Sequence, residues 1–267
     1  MLKDVTLGQY FPGQSFIHRL DPRVKLVLTC VYITALFLAK GFLSYGIMLV
    51  WLVIAVACSG VPVRLFLRGL RPLIAIIVFT GVLNIFYTEG YVLFQWWIFR
   101  VTAEGLFMAG RMILRILMLV TGTFLMTYTT SPLQLTDAME RLFGPLKKLR
   151  LPVHELSMMM SIALRMIPTL IEEADKIMNA QRARGADFDS GNVVKRAKAL
   201  IPLLVPLFVS AFRRAEELAT AMECRCYHGG EGRTRLRVLV MRSADTVVLV
   251  GFILLSTFVG VLGVRGL

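Results

Sequence analysis

Runs of uncharged, largely apolar residues divide the chain, and charges mark where each run ends. Lys40 and Arg64 enclose 23 uncharged residues, Arg71 and Glu89 enclose 17, Arg115 and Asp137 enclose 21, and Asp245 and Arg265 enclose 19. A helix needs about 20 residues to cross the hydrocarbon of a bilayer, so each run predicts one crossing. A fifth run, between Lys25 and Lys40, holds only 14. It is read as a span because a lysine at either end can snorkel toward the headgroups. The expected spans are therefore residues 24–42, 44–61, 72–88, 105–130 and 245–264. Another run of 14, Ala199–Phe212, contains Pro202 and Pro206 and is hemmed in by Lys195, Arg196, Lys198, Arg213 and Arg214. It predicts a buried or interfacial helix rather than a crossing. The pattern describes an all-α polytopic membrane protein with about five transmembrane helices.

Composition narrows the classes further. Of the 267 residues, 57% are hydrophobic and 18% charged, against roughly 45–50% and ~25% in a soluble domain. A soluble enzyme, a disordered chain and a disulfide-rich secreted module are all excluded. The net charge of +13 would suggest nucleic acid in a soluble protein. Here it reflects basic loops held on the cytoplasmic side, and no nucleic-acid partner is expected. With five spans and the N-terminus inside, residues 1–25 contribute four basic residues, 61–71 three and 131–243 eighteen, which puts 25 of the 30 inside. The first 22 residues lack an apolar core of the signal-peptide kind, so no cleavable leader is expected. Cys30 and Cys58 lie in apolar runs, and Cys224 and Cys226 are too close in sequence to staple anything; all four are read as reduced thiols. Three segments result: residues 1–130 with four spans, a cytosolic domain at 131–243, and the last span at 244–267.

The cytosolic insertion reads as helical throughout. Ser131-Pro132 with Gln134 supplies a hydroxyl N-cap, a proline at the first helical position and a capping-box partner. The helix that follows is expected to stop at Gly144-Pro145. A second helix begins after Pro152, with Leu156, Met160, Ala163, Ile167, Leu170, Ala174 and Ile177 at alternating spacings of four and three, a helix–helix seam. It ends at Ala183-Arg184-Gly185, where Gly185 suits the left-handed position after a helix. After a turn at Ala186–Asn192, a third helix repeats the seam with Leu204, Phe208, Ala211, Ala215, Leu218 and Met222 and ends at Cys224-Arg225-Cys226. Overlaying the two helix ends at an offset of 41 pairs Ala174 with Ala215, Ala180 with Ala221 and Arg184 with Arg225. An arginine beside a helix C-terminus gains only ~0.3–1 kcal/mol from the dipole. Its occurrence at both tips points instead to docking, because a guanidinium fork suits carboxylates and carbonyls in a partner's groove.

Other constellations carry less chemistry. No phosphate-binding G-x-x-x-x-G-K-[ST] sequence occurs, so nucleotide binding by this route is not expected. Cys224, Cys226 and His228 lack the spacing and the second ligand pair of a zinc site. His18 and His154 stand alone, no Ser/His/Asp set is evident, and no metal or cofactor is expected. Met158-Met159-Met160 reads as adaptable contact surface. Arg111 and Arg115, one turn apart in the fourth span, either face the bundle interior or reach the outer headgroups.

Several of these segments, in this order, resemble the EcfT/CbiQ family, the transmembrane coupling subunits of energy-coupling factor (ECF) transporters. They are Gly8-Gln9-Tyr10 with Pro12-Gly13, His18-Arg19-Leu20-Asp21-Pro22-Arg23-Val24-Lys25-Leu26, Thr129-Thr130-Ser131-Pro132, Leu151-Pro152 with Glu155-Leu156, Ala163-Leu164-Arg165-Met166-Ile167-Pro168, and Gln181-Arg182-Ala183-Arg184-Gly185-Ala186-Asp187-Phe188. The resemblance implies a non-catalytic scaffold in a bacterial cell membrane. Its partners would be two ABC-type ATPase subunits and a small substrate-binding membrane subunit, the S component, which captures a vitamin or metal ion. It also implies that Ala183, Arg184 and Gly185 dock one ATPase and that Cys224, Arg225 and Cys226 dock the other. The second motif departs from the family's Ala-Arg-Gly pattern: the arginine carries over, the glycine does not. A self-sufficient channel or secondary transporter is the alternative class, and a membrane-bound enzyme a third. Against the first, the spans hold no acidic residue well inside the bilayer and no inverted repeat is visible. For the last, no catalytic set appears.

Overall fold

The computed structural model describes residues 10–88, 91–96, 99–145, 152–186, 188, 192–229 and 240–264. Gly8, Gln9, Leu151, Asp187 and part of the turn expected at 186–192 lie outside the described residues. In chain order the helices are α1 (Phe16–Arg19), α2 (Pro22–Leu38), α3 (Phe42–Ser59), α4 (Val63–Leu70), α5 (Ile74–Tyr87) and α6 (Ala103–Thr129). They continue with α7 (Pro132–Leu142), α8 (Val153–Ala183), α9 (Val193–Cys224) and α10 (Ser243–Val264). Two compact units form, one of Gly8–Ala138 with Leu239–Leu267, the other built on Met139–Val238.

Among the described residues of the first unit, four stretches are long and apolar enough to cross a membrane: Phe42–Ser59, Val63–Tyr87, Ala103–Thr129 and Ser243–Gly263. α2, the remaining expected span, has 17 residues, about 25 Å of helix at 1.5 Å per residue. It lies at the centre of the unit. Val24, Leu28, Tyr32 and Leu36 are buried against Tyr45, Met48 and Leu52 of α3, Met118 of α6, and Phe252 and Val259 of α10. Gly122 lets α6 approach closely, since a Cβ there would clash with the Tyr32 ring.

Two expectations need correction, and the fold class gains one detail. Residues 61–71, taken as a loop, are mostly the amphipathic helix α4, which runs through one 3-10 turn at Arg71–Leu73 into α5. The expected all-α fold is borne out, with one short hairpin between α5 and α6 in which β1 (Val92–Trp96) pairs antiparallel with β2 (Phe99–Thr102). Its β-branched and aromatic residues favour that pleat, and Thr102 then caps α6 by accepting from the Gly105 amide at 3.1 Å. Lys25 does not snorkel. It is 5% exposed and donates Nζ to the Thr129 carbonyl at 2.8 Å and the His18 carbonyl at 3.3 Å.

The arginines of α6 face inward. Arg115 donates Nε to Tyr45 Oη at 2.7 Å and Nη2 to the Ala39 carbonyl at 3.3 Å, and Arg111 reaches the Lys40 carbonyl at 3.2 Å. Both therefore satisfy carbonyls left over where α2 ends. In α7 the expected capping box forms, with Ser131 and Gln134 exchanging amide-to-side-chain bonds of 3.2 and 3.3 Å.

Candidate functional site

The second unit is dominated by α8 and α9, helices of 31 and 32 residues. They run in opposite directions. Near the middle, Glu173 of α8 accepts from Ser210 Oγ and, at 3.0 and 3.2 Å, from the Arg214 guanidinium of α9. Beyond the end of α9, Tyr227 returns to the start of α8 and donates Oη to Met158 Sδ at 3.0 Å. The Ser210 hydroxyl and the Arg214 cation hold the Glu173 carboxyl below the usual carboxylate range, so the clamp is charged at neutral pH. Stability from such a group is present above the ordinary carboxylate pKa and is lost as pH falls through the lowered one.

The seam is shorter than the spacing suggests. Ala174 is 8% exposed, and Ile167, Leu170 and Ile177 of α8 and Ala211, Leu218 and Met222 of α9 are partly buried. Leu156, Met160 and Ala163 at the start of α8 are exposed, as are Leu204, Phe208 and Ala215 of α9, where Leu203 is buried instead. Spacing identifies an apolar face but not what covers it. On α9 the uncovered face is continuous: Ile201, Leu204, Val205, Phe208, Val209 and Phe212 are all exposed.

Both helices end in the same turn. At the end of α8, the Gly185 amide bonds to the Arg182 carbonyl at 2.9 Å and the Ala186 amide to the Gln181 carbonyl at 3.0 Å. At the end of α9, the Cys226 amide bonds to the Glu223 carbonyl at 2.8 Å and the Tyr227 amide to the Met222 carbonyl at 3.1 Å. Each is a Schellman cap, with a left-handed residue just past the helix: Gly185 at φ 89° and Cys226 at φ 52°. The glycine missing from the second motif does not change the turn, because the backbone bonds hold Cys226 in the glycine conformation. Ala183 and Cys224 close the helices, while Arg184 and Arg225 occupy equivalent cap positions with exposed side chains. The offset of 41 aligned these residues in the sequence; only the carbonyl–amide pairing shows that the turns match.

Antiparallel packing sends the two arginines to opposite ends of the pair. Arg225 lies two residues from Tyr227, which touches Met158, and Met158 is 26 residues from Arg184 along α8. That separation is roughly 40 Å at 1.5 Å per residue.

A left-handed cysteine carries strain that glycine does not, on the order of 1 kcal/mol. Cys226→Gly is expected to stabilise the α9 cap by up to ~1 kcal/mol, less the extra freedom glycine brings to the unfolded chain. Thermal unfolding of the purified protein measures it, and a lowered midpoint would contradict the shared-turn geometry.

The remaining candidates have local roles. His228 Nδ1 pairs with the Cys226 carbonyl at 2.8 Å, and no group of three metal-ligating side chains occurs among the described residues. His18 bridges Ser15 Oγ at 2.6 Å and the Phe11 carbonyl at 2.9 Å, and His154 pairs with Glu140 at 2.9 Å. All four cysteines are free and exposed.

The family model CbiQ, described as cobalt transport protein, matches residues 13–236. The chain is 48% identical over 265 residues to the energy-coupling factor transporter transmembrane protein EcfT of Ruminiclostridium cellulolyticum, covering 97% of this chain and 99% of that one. It is 52% identical to the EcfT of Thermosediminibacter oceani, with 96% of each chain covered. With the EcfT of Bacillus subtilis the identity is 51%, over 96% of this chain and 97% of the relative. Membrane-spanning helices, matched motifs and near-full-length identity converge: the chain belongs to the CbiQ/EcfT family, the transmembrane components of bacterial energy-coupling factor transporters.

Proposed function

We propose that this chain is the non-catalytic scaffold through which two ATPase subunits drive a substrate-binding membrane subunit, so that a vitamin or metal ion is imported. The observation that carries the reading is the pair of matched caps. Two exposed arginines in identical turns, roughly 40 Å apart along antiparallel helices, suit two like partners rather than one. Ala183-Arg184-Gly185 serves one ATPase and Cys224-Arg225-Cys226 the other. A guanidinium on a rigid cap can enter a groove lined with carboxylates or carbonyls, and movement of both grooves on nucleotide binding would then shift α8 and α9 together. The uncovered apolar face of α9 supports an apolar membrane partner, since such a face is costly to leave in water.

Co-purification tests the assembly. A tagged chain expressed with its neighbouring genes should bring down two ATPase chains and a small membrane subunit; recovery of the chain alone would reject the reading. Orientation has its own test. With 25 of 30 basic residues on one side of a five-span arrangement, cysteines placed at Ser190 and Gly230 should both be protected from an impermeant thiol reagent in intact cells. Labelling of either from outside would mean that part of α9 crosses the bilayer.

A further inference from the structure

Residues 63–74 carry two rows of side chains at the same spacing. Val63, Leu67, Leu70 and Ile74 advance by four, three and four residues, and Arg64, Arg68 and Arg71 advance beside them by four and three. On a helix of 3.6 residues per turn the three arginines span about 60° of the surface. A third side of α4 faces the protein. Phe66 is buried edge-on to the Tyr128 ring, with centroids 5.3 Å apart, and the Leu65 carbonyl accepts from Tyr128 Oη at 3.3 Å. α6 thus fixes which way α4 faces. Val63 and Leu67 are each 61% exposed, the three arginines are exposed, and the apolar row continues along α5 through the exposed Ile74 and Val78.

The unit itself answers neither row. Among the described residues no ion pair reaches Arg64, Arg68 or Arg71, and the chain holds no Asp or Glu between Asp21 and Glu89. A charge in hydrocarbon is costly, so the arginines place α4 at headgroup level, where the stretch Val63–Tyr87 enters the bilayer. An apolar row beside a basic one is the pattern of a helix lying in that interface. An acidic protein surface would fit the arginines but leave uncovered the apolar row, which runs on into a crossing helix. A phospholipid meets both rows, with a phosphate for the guanidinium forks and chains for Val63 and Leu67. Zwitterionic headgroups bring their own cation to the phosphate; three uncompensated arginines favour a net-negative one.

We propose that α4 seats an anionic phospholipid, with Arg64, Arg68 and Arg71 on the headgroup phosphate and Val63 and Leu67 against the acyl chains. This goes beyond the coupling function and does not depend on it.

The test uses the full chain in detergent micelles, with bound lipids counted by native mass spectrometry. A basic residue at an anionic surface strengthens binding about fivefold. Phosphatidylglycerol is therefore expected to bind at least about tenfold more tightly than phosphatidylcholine with the same chains. Changing all three residues, Arg64→Gln, Arg68→Gln and Arg71→Gln, should remove that preference and leave phosphatidylcholine binding unchanged, which also shows that the variant folds. Lysine at the same three positions should keep most of the preference. Inorganic phosphate should not compete; displacement of phosphatidylglycerol by it would mean a simple anion site and overturn the lipid assignment. A second arm changes no charge. Benzoylphenylalanine at Leu67, in membranes holding the complete complex, should photo-crosslink to phospholipid. A cross-link to a protein chain instead, or an undiminished phosphatidylglycerol preference in the glutamine variant, would overturn the proposal.

Discussion

Changing Arg184 and Arg225 together to alanine is expected to abolish substrate uptake while the chain still inserts in the membrane. Each arginine sits at the cap of a long helix, exposed and held by two backbone bonds, so truncation removes a contact group without disturbing the turn. Losing a buried arginine anchor costs at least ~2 kcal/mol, roughly a thirtyfold loss of affinity per ATPase. A single substitution leaves the other helix attached. The complex should then persist, with transport and transport-coupled ATP hydrolysis both reduced. Arg→Lys should restore only part of the activity, because a point charge cannot reproduce the planar fork. Uptake by the double variant at wild-type rates would make both residues ordinary helix caps. Matching turns also predict equal weight for the two sites: Arg225→Ala should be as damaging as Arg184→Ala despite the flanking cysteines.

What could be read from the chain follows from which physical costs are local. Placing a charge in hydrocarbon is costly wherever it occurs, so the gaps between charges located α3, α5, α6 and α10 to within a few residues. Caps are local too, and Ser131–Gln134 and Gly185 form as their spacing implies. Packing partners are not local. Leu204 and Phe208 fit a seam with α8 by spacing, yet they are exposed, and an apolar face made for another subunit has the same periodicity as one made for the core. Cys226 shows the limit at a site residue. Its identity argued against a left-handed turn, and a pair of amide–carbonyl bonds places it there. Arg111 and Arg115 could not be assigned from sequence because their acceptors, Ala39 and Lys40, lie at the end of another helix.

The same limit hid the most sensitive point of the membrane unit, where Lys25→Met is expected to prevent stable folding. Asp21 caps α2 by accepting from the Arg23 amide at 2.9 Å. Its own amide donates to Asp245 Oδ1 at 2.9 Å across 224 residues of sequence, and Asp245 Oδ2 accepts from the Arg242 amide at 2.8 Å as the cap of α10. Asp21 and Asp245 are 5% and 2% exposed. Lys25 is the buried cation one turn on from Asp21, and Asp21 also pairs with Arg23 at 3.6 Å. The bonds from Lys25 to the Thr129 and His18 carbonyls also tie the ends of α6 and α1 to the start of α2, so one ammonium joins three helix ends. Removing one partner of a buried ionic network costs about 3–5 kcal/mol, because the opposite charge is left uncompensated. That approaches the whole stability of a typical domain. In Lys25→Met the Thr129 and His18 carbonyls would lose their donor. Among the described residues the two buried carboxylates would keep only Arg23, which pairs with Asp21 at 3.6 Å, so monodisperse protein in detergent should be lost. Adding Asp21→Asn should recover part of it, since an asparagine oxygen can still cap α2 while one negative charge disappears; the two changes should therefore be non-additive. Asp245→Asn should not rescue, because both oxygens of Asp245 accept from amides and an asparagine would turn a donor toward one of them. Folded, monodisperse Lys25→Met protein, or equal recovery by either asparagine, would show that the charge network does not hold the helix ends together.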